Sequence, residues 1–168
     1  RELAEQIRSS VGVESRLELE FEKLYAKLFL AEVRSGQGGA RKRYAGLRWG
    51  ETDVEFVGME VVRRDWTDLA KTVQRGLYRR LFDEQPVDEY LKGIVARVRA
   101  GEMDDQLVYR KGLRKPVEEY TASTPPHVVA ARRSKNPTAR VVHYLVTYNG
   151  PEPLDTLTAQ PDHEHYVD

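Results

Sequence analysis

The chain has 168 residues, 40% of them hydrophobic, enough for one ordinary domain or two small ones with a core. Its 27 Lys and Arg balance 27 Asp and Glu, and the absence of cysteine excludes disulfides, thiolate metal sites and a zinc ribbon, in keeping with a reducing compartment. No apolar run approaches the roughly 20 residues that a membrane helix needs, and the opening RELAEQIRSS is too charged for a secretory signal, so a cytoplasmic setting without a membrane partner is expected.

Taken in chain order, Leu3 and Ile7 at i, i+4 predict a helix that ends near Val11-Gly12. Strict alternation over Leu17-Glu18-Leu19-Glu20-Phe21-Glu22 predicts a strand with three apolar side chains on one face and three carboxylates on the other. The apolar patch Leu24 to Val33 continues that strand or forms its partner, and Ser35-Gly36-Gln37-Gly38-Gly39 is a turn. Arg41 to Trp49 and Val54 to Val61, joined at Gly50, complete a small antiparallel sheet. At Asp65, a good N-cap, the period changes: Leu69, Val73, Leu77 and Leu81 are spaced by four and mark a helix to about Phe82. A second helix starts at Gln85-Pro86, turns Tyr90, Ile94 and Val98 inward, stops at Gly101 and makes an antiparallel hairpin with the first. Beyond Leu107-Val108-Tyr109 the chain turns basic, with short helical pieces at Pro116 to Tyr120 and His127 to Arg133. Val141 to Tyr148 is a strand, Asn149-Gly150-Pro151 a turn, and the tail is acidic and broken by prolines. The fold class is therefore α+β, sheet-rich to residue 64 and mostly helical from residue 65 to the end. Both ends stop inside patterned sequence, which reads as a fragment.

The neutral balance hides an asymmetry. Glu152, Asp155, Asp162, Glu164 and Asp168 all follow residue 140, where there is no Lys or Arg, so the earlier part carries the matching positive excess. It clusters at Arg41-Lys42-Arg43, Arg63-Arg64, Arg110-Lys111 with Arg114-Lys115, and Arg132-Arg133 with Lys135. Separate basic clusters suit a local anionic partner, although charge runs are more often solvated faces.

In Arg41-Lys42-Arg43-Tyr44-Ala45-Gly46-Leu47, the strand period puts Lys42 and Tyr44 on one face and Arg41 and Arg43 on the other. A cation and a phenol side by side suit a nucleic-acid groove, but on spacing alone an edge strand protected by charge is the better reading. In Gly58 to Trp66, Arg63 or Arg64 paired with Glu60 or Asp65 makes a structural ion pair at the strand-to-helix corner. His163-x-His165 lacks a third ligand in the sequence around it and reads as surface histidines, so no metal site is assigned. Ser123-Thr124-Pro125-Pro126-His127 offers a hydroxyl and an imidazole without an orienting carboxylate or oxyanion hole, which excludes hydrolase chemistry there.

In order and spacing, three runs resemble the family B DNA polymerases after their catalytic aspartate motif: Leu17 to Glu22, Arg41 to Leu47, and Gly58 to Trp66 with Leu69-Ala70 and Gln74. The likeness continues through Leu107 to Lys111, Glu119-Tyr120, Pro126-His127-Val128 with Ala130-Ala131-Arg132, and Thr147 with Asn149 to Asp155. That last run and Glu164-His165-Tyr166 point to the bacterial polymerase II branch.

The resemblance implies that residues 1–64 are the end of a polymerase palm and 65–168 a thumb truncated at its C-terminal end. It matches Lys42 and Tyr44 to a Lys-x-Tyr motif that lies against the minor groove of the nascent duplex. Arg41 stands where the family usually has lysine, and Arg43 completes the run. The thumb candidates for the duplex backbone are Lys111, Arg114, Lys115 and His127. Glu18 and Glu20 match carboxylates near the family's metal pocket, while as residues alone they read equally well as a solvated strand face. The principal metal-binding aspartates, including those of a Tyr-Gly-Asp-Thr-Asp-Ser motif, are expected upstream of Arg1, so the fragment alone is expected to be inactive. The implied parent is a DNA-directed DNA polymerase of replication and repair. It extends a primer 3′ end with deoxynucleoside triphosphates and magnesium, and primer-template DNA and a sliding clamp are its partners. An independent nucleic-acid-binding module and a protein-interaction scaffold are the alternatives.

Overall fold

The computed structural model describes residues 5–6, 9–10, 20–32, 39–121 and 124–168; the side chains of residues 32 and 39–41 also lie outside what is described. Residues 5–6 and 9–10 of the helix expected from Leu3 and Ile7 are helical. The other residues of that expected helix, residues 35–38 of the expected turn, and residues 17–19 of the Leu17–Glu22 strand, Glu18 among them, fall outside what is described. Where that strand can be followed it is not formed. Residues 20 to 24 belong to no regular element, and Phe21 is 82% exposed. Alternation is a local pattern, and it makes a strand only where a partner strand supplies the ladder bonds.

The first sheet begins at β1, Tyr25–Glu32, which pairs antiparallel with β2, Gly39–Arg48, and β2 pairs antiparallel with β3, Val54–Val57. The central strand is therefore the one that carries Lys42 and Tyr44. Past β3, Gly58 at φ +62° turns the chain into a single 3-10 turn, Glu60–Val62, where the sequence pattern had continued the strand to Val61. Gly58 is required there, because a Cβ would stand 1.9 Å from the Lys42 carbonyl oxygen.

The long helix, α1, spans Asp68–Phe82, and its N-cap is Thr67, whose hydroxyl accepts from the Ala70 amide at 3.2 Å. Asp65, expected as the cap, is instead taken by cations. Arg63 holds its carboxylate through Nε at 3.0 Å and Nη2 at 2.8 Å, and Lys111 reaches it from the second half of the chain at 2.7 Å. The apolar face of α1 packs on the first sheet in a core of Ala45, Met59, Val61, Tyr78 and Phe82, with Phe29 and Phe56 flanking Tyr78 at ring separations of 5.1 and 5.7 Å. The second helix, α2, spans Asp88–Arg99 and ends before Gly101 at φ +74°. It runs back along α1 as expected, with Tyr90 donating to the Thr72 carbonyl and Arg80 lying 4.0 Å above the Tyr90 ring.

The second half is not helical throughout. A second antiparallel sheet joins β4, Tyr109–Gly112, to β5, Val141–Thr147, and β5 to β6, Gly150–Pro153, with helix α3, Pro126–Arg133, against it. Val117, Val128, Ala130, Ala131, Val142 and Tyr144 form its core. A short helix, α4, His163–Val167, closes the other side, where Tyr109 stacks between Tyr144 and Tyr166 at 5.3 and 5.7 Å. Leu69, Val98, Met103, Leu107 and Leu145 fuse the α1–α2 hairpin to this sheet. Met103 and Leu107 are fully buried, and each contributes about 1.5–3 kcal/mol of hydrophobic stabilisation. The architecture is α+β.

Two substitutions test this framework. Arg63 and Lys111 hold the Asp65 carboxyl well below the ordinary carboxylate range, so its contribution is complete at neutral pH and is lost as pH falls from that range toward the lower folded value. Asp65→Asn should lower the melting temperature at pH 7, and the gap to wild type should close as pH drops below about 4. A gap of equal size at both ends of the series would contradict the ion-pair account. Gly58→Ala must meet both the left-handed backbone, about 1–2 kcal/mol for an L residue, and the clash with Lys42, so chemical denaturation should show a larger loss than that.

Candidate nucleic-acid interface

Alternation along β2 sends neighbouring side chains to opposite faces of the sheet. Ala45 enters the core beneath α1, and Arg43 points the same way. Its guanidinium donates to Glu60 Oε1 at 2.6 Å, Glu60 Oε2 accepts from the Gln74 amide at 2.9 Å, and Gln74 Oε1 accepts from the Val61 backbone N–H at 2.7 Å. Glu60 therefore pairs with Arg43, while Arg63 pairs with Asp65; Arg64 is exposed and makes no ion pair among the described residues. Burial pushes the Glu60 carboxyl up, but the Gln74 amide, the backbone and the nearby arginines outweigh it, and the net shift is downward.

The opposite face carries Tyr44 and a carboxylate network centred on Glu55 of β3. Lys23 donates to Glu55 Oε1 at 2.7 Å, and Arg48 Nε and the Tyr25 hydroxyl donate to Oε2 at 3.0 and 2.6 Å. Arg48, Lys23 and Tyr25, in that order of effect, hold the Glu55 pKa at about 2, so the carboxylate stays ionised. The rings of Tyr25 and Tyr44 meet edge to face at 5.9 Å, with their hydroxyl oxygens 3.4 Å apart. Lys42, two residues from Tyr44, is exposed and has no carboxylate partner among the described residues. Its neighbours Arg43, Arg48 and Lys23 are all occupied by carboxylates. Among its described residues the strand thus presents one available cation beside a phenol whose surroundings are fixed. The Arg41 side chain lies outside the described residues.

The other predicted residues are dispersed. Lys111, on β4, is engaged with Asp65. The Lys115 ammonium bonds the Glu119 carbonyl and lies 4.9 Å from the Tyr120 ring centroid, and Arg114 and Lys115 line an open cleft with Arg140, which charge clustering had not singled out. His127 packs edge-on against Tyr120, and partial burial together with Lys111 holds its imidazole below the ordinary value, leaving it neutral at pH 7. His163 bonds Asp104 at 2.7 Å, whereas His165 lies against Tyr109 and Tyr166, so the two histidines serve different neighbours. Glu20 is exposed ahead of β1. Among the described residues no group of three or more His, Asp or Glu is placed to hold a metal ion. Tyr25 and Glu55 were absent from the sequence-derived candidates: they are 30 residues apart, and no local pattern joins them.

The model of DNA polymerase family B matches residues 1–149. The chain is 40% identical over 166 residues to DNA polymerase II of Escherichia coli K12, covering 91% of this chain and 21% of that protein. It is 34% identical over 185 residues to DNA polymerase 2 of Aeropyrum pernix, covering 99% of this chain and 22% of the relative. It is also 30% identical over 152 residues to the DNA polymerase alpha catalytic subunit of Trypanosoma brucei brucei, covering 80% and 11%. The chain thus spans about a fifth of the length of the two relatives first named. With the family model matching most of its length, the chain belongs to DNA polymerase family B.

Proposed function

We propose that this chain is the primer-template grip of a DNA-directed DNA polymerase, in which the Lys42 and Tyr44 face of β2 lies on the nascent duplex. The observation that carries the reading is the division of β2: Arg43 is tied to Glu60, while Lys42 remains exposed beside Tyr44 and free of carboxylates among the described residues. The minor-groove edges of all base pairs present acceptors, so a cation and a hydroxyl donor there hold the duplex without reading its sequence. In this reading the first sheet and the corner to residue 64 form the end of the palm, and residues 65–168 belong to the thumb. Arg114 and Lys115, with Arg140, lie along the duplex backbone. Their exposure and shared cleft support that assignment more strongly than they support Lys111, which is paired, or His127, which is neutral.

The full-length protein would join deoxynucleoside triphosphates to the primer 3′ end in the cytoplasm, with a sliding clamp as a partner. No helix among the described residues is long and apolar enough to cross a membrane. The sequence contains no Tyr-Gly-Asp-Thr-Asp-Ser motif, so in this reading the chemical step belongs to residues other than these.

The test is Lys42→Ala in the full-length protein, read by primer-template binding across a salt series and by thermal melting. Stability should change by no more than about 0.5 kcal/mol. Affinity should fall, and the slope of log affinity against log salt should become shallower by about one. A sharp drop in melting temperature with normal duplex binding would make Lys42 a structural residue and overturn the reading.

A further inference from the structure

The geometry points to Tyr25 and Glu55 as positioning residues of this grip: together they keep the Tyr44 hydroxyl a hydrogen-bond donor aimed at an acceptor on the duplex. The inference rests on the duplex-binding reading of β2.

Tyr25 stands on β1 and Glu55 on β3, with β2 between them, so the phenol must cross the central strand to reach the carboxylate. It crosses over Gly46, which pairs with both Leu28 and Glu55. A Cβ at Gly46 would lie 2.5 Å from the Tyr25 ring carbons Cδ1 and Cε1, so only glycine leaves the passage open. Tyr25 has one hydroxyl proton, and at 2.6 Å it belongs to Glu55, an ionised acceptor. Toward Tyr44 the Tyr25 oxygen then offers lone pairs only. The 3.4 Å contact between the two hydroxyls must therefore run from Tyr44 to Tyr25, and at that length it holds the Tyr44 proton weakly.

Among the described residues no other group bonds the Tyr44 hydroxyl. The oxygen is thus oriented by an edge-to-face neighbour, receives no proton from it, and can release its own to a stronger acceptor. Purine N3 and pyrimidine O2 are such acceptors in the minor groove of every base pair. Lys23 and Arg48 complete the arrangement by neutralising Glu55, so the carboxylate can orient Tyr25 without repelling the phosphates of an approaching strand.

The experiment is a double-mutant cycle on primer-template affinity in the full-length protein, with Lys42→Ala as reference. Tyr25→Phe and Tyr44→Phe should each weaken binding by about two- to tenfold, the scale of one hydrogen bond, and the double variant should be no weaker than Tyr44→Phe alone. Duplexes carrying 3-deazaadenine near the primer end, which lack the N3 acceptor, should bind wild type less well, and both Tyr44→Phe and Tyr25→Phe should discriminate against them less than wild type does, the remainder resting on Lys42. Glu55→Gln should reproduce the Tyr25→Phe result and serves if that variant folds poorly. Additive losses, or unaltered affinity in Tyr25→Phe, would overturn the positioning role. If Lys42→Ala weakens binding and Tyr44→Phe does not, this inference fails while the grip stands; if neither weakens it, the grip reading fails first.

Discussion

Glu60 is where the first sheet and α1 are locked together. Its carboxylate receives Arg43 from the central strand and Gln74 from α1, and the same Gln74 side chain accepts the backbone N–H of Val61. A carboxylate with a side chain 19% exposed is costly to bury alone, and here donors meet both oxygens. Removing one partner would leave the other charge unpaired, so the strand face and the helix are expected to keep one relative orientation. Leu69 and Leu145 extend the connection into the second sheet, and Asp65 with Lys111 supports it from outside.

That lock explains why β2 can serve two purposes. Its inward residues, Arg43 and Ala45, are committed to α1, while Tyr44 is held from the other side by Tyr25 and the Glu55 network. A polymerase must grip a duplex of any sequence and release it by one step at each addition. A rigid strand whose described residues offer one exposed, unpaired cation and one phenol suits the proposed grip, because its contacts need little ordering when DNA arrives. On this face Lys23 and Arg48 are spent on Glu55, which limits its pull on polyanions in general.

Local periodicity carried much of the fold. The hydrophobic spacing of four found α1, β-branched runs found β3 and β5, and alternation alone placed Lys42 and Tyr44 opposite Arg43. What escaped was decided between residues far apart in the chain. Asp65 fits a cap by every local rule, but Lys111, 46 residues later, competes for its carboxylate and Thr67 caps instead. Glu60 was matched with its near neighbours Arg63 and Arg64, yet strand pairing brings Arg43 to it. The alternating Leu17–Glu22 run yielded no strand at residues 20 to 22, and β4 was hidden because its partner β5 begins 29 residues after it ends. The role proposed for Lys42 and Tyr44 rests on family resemblance, since spacing by itself fitted a charged edge strand, and β2 proves to be the centre of its sheet.

The central claim, that this face of β2 meets the duplex, is tested most directly by lysine reactivity in the full-length protein with and without primer-template DNA, read residue by residue by mass spectrometry. Lys42 should be modified readily in the free protein and protected when DNA is bound. Lys27 and Lys92, which pair with Glu84 and Glu89 on other surfaces, should react equally in both states. Protection of Lys27 or Lys92 with Lys42 unchanged would place the duplex elsewhere and contradict the account.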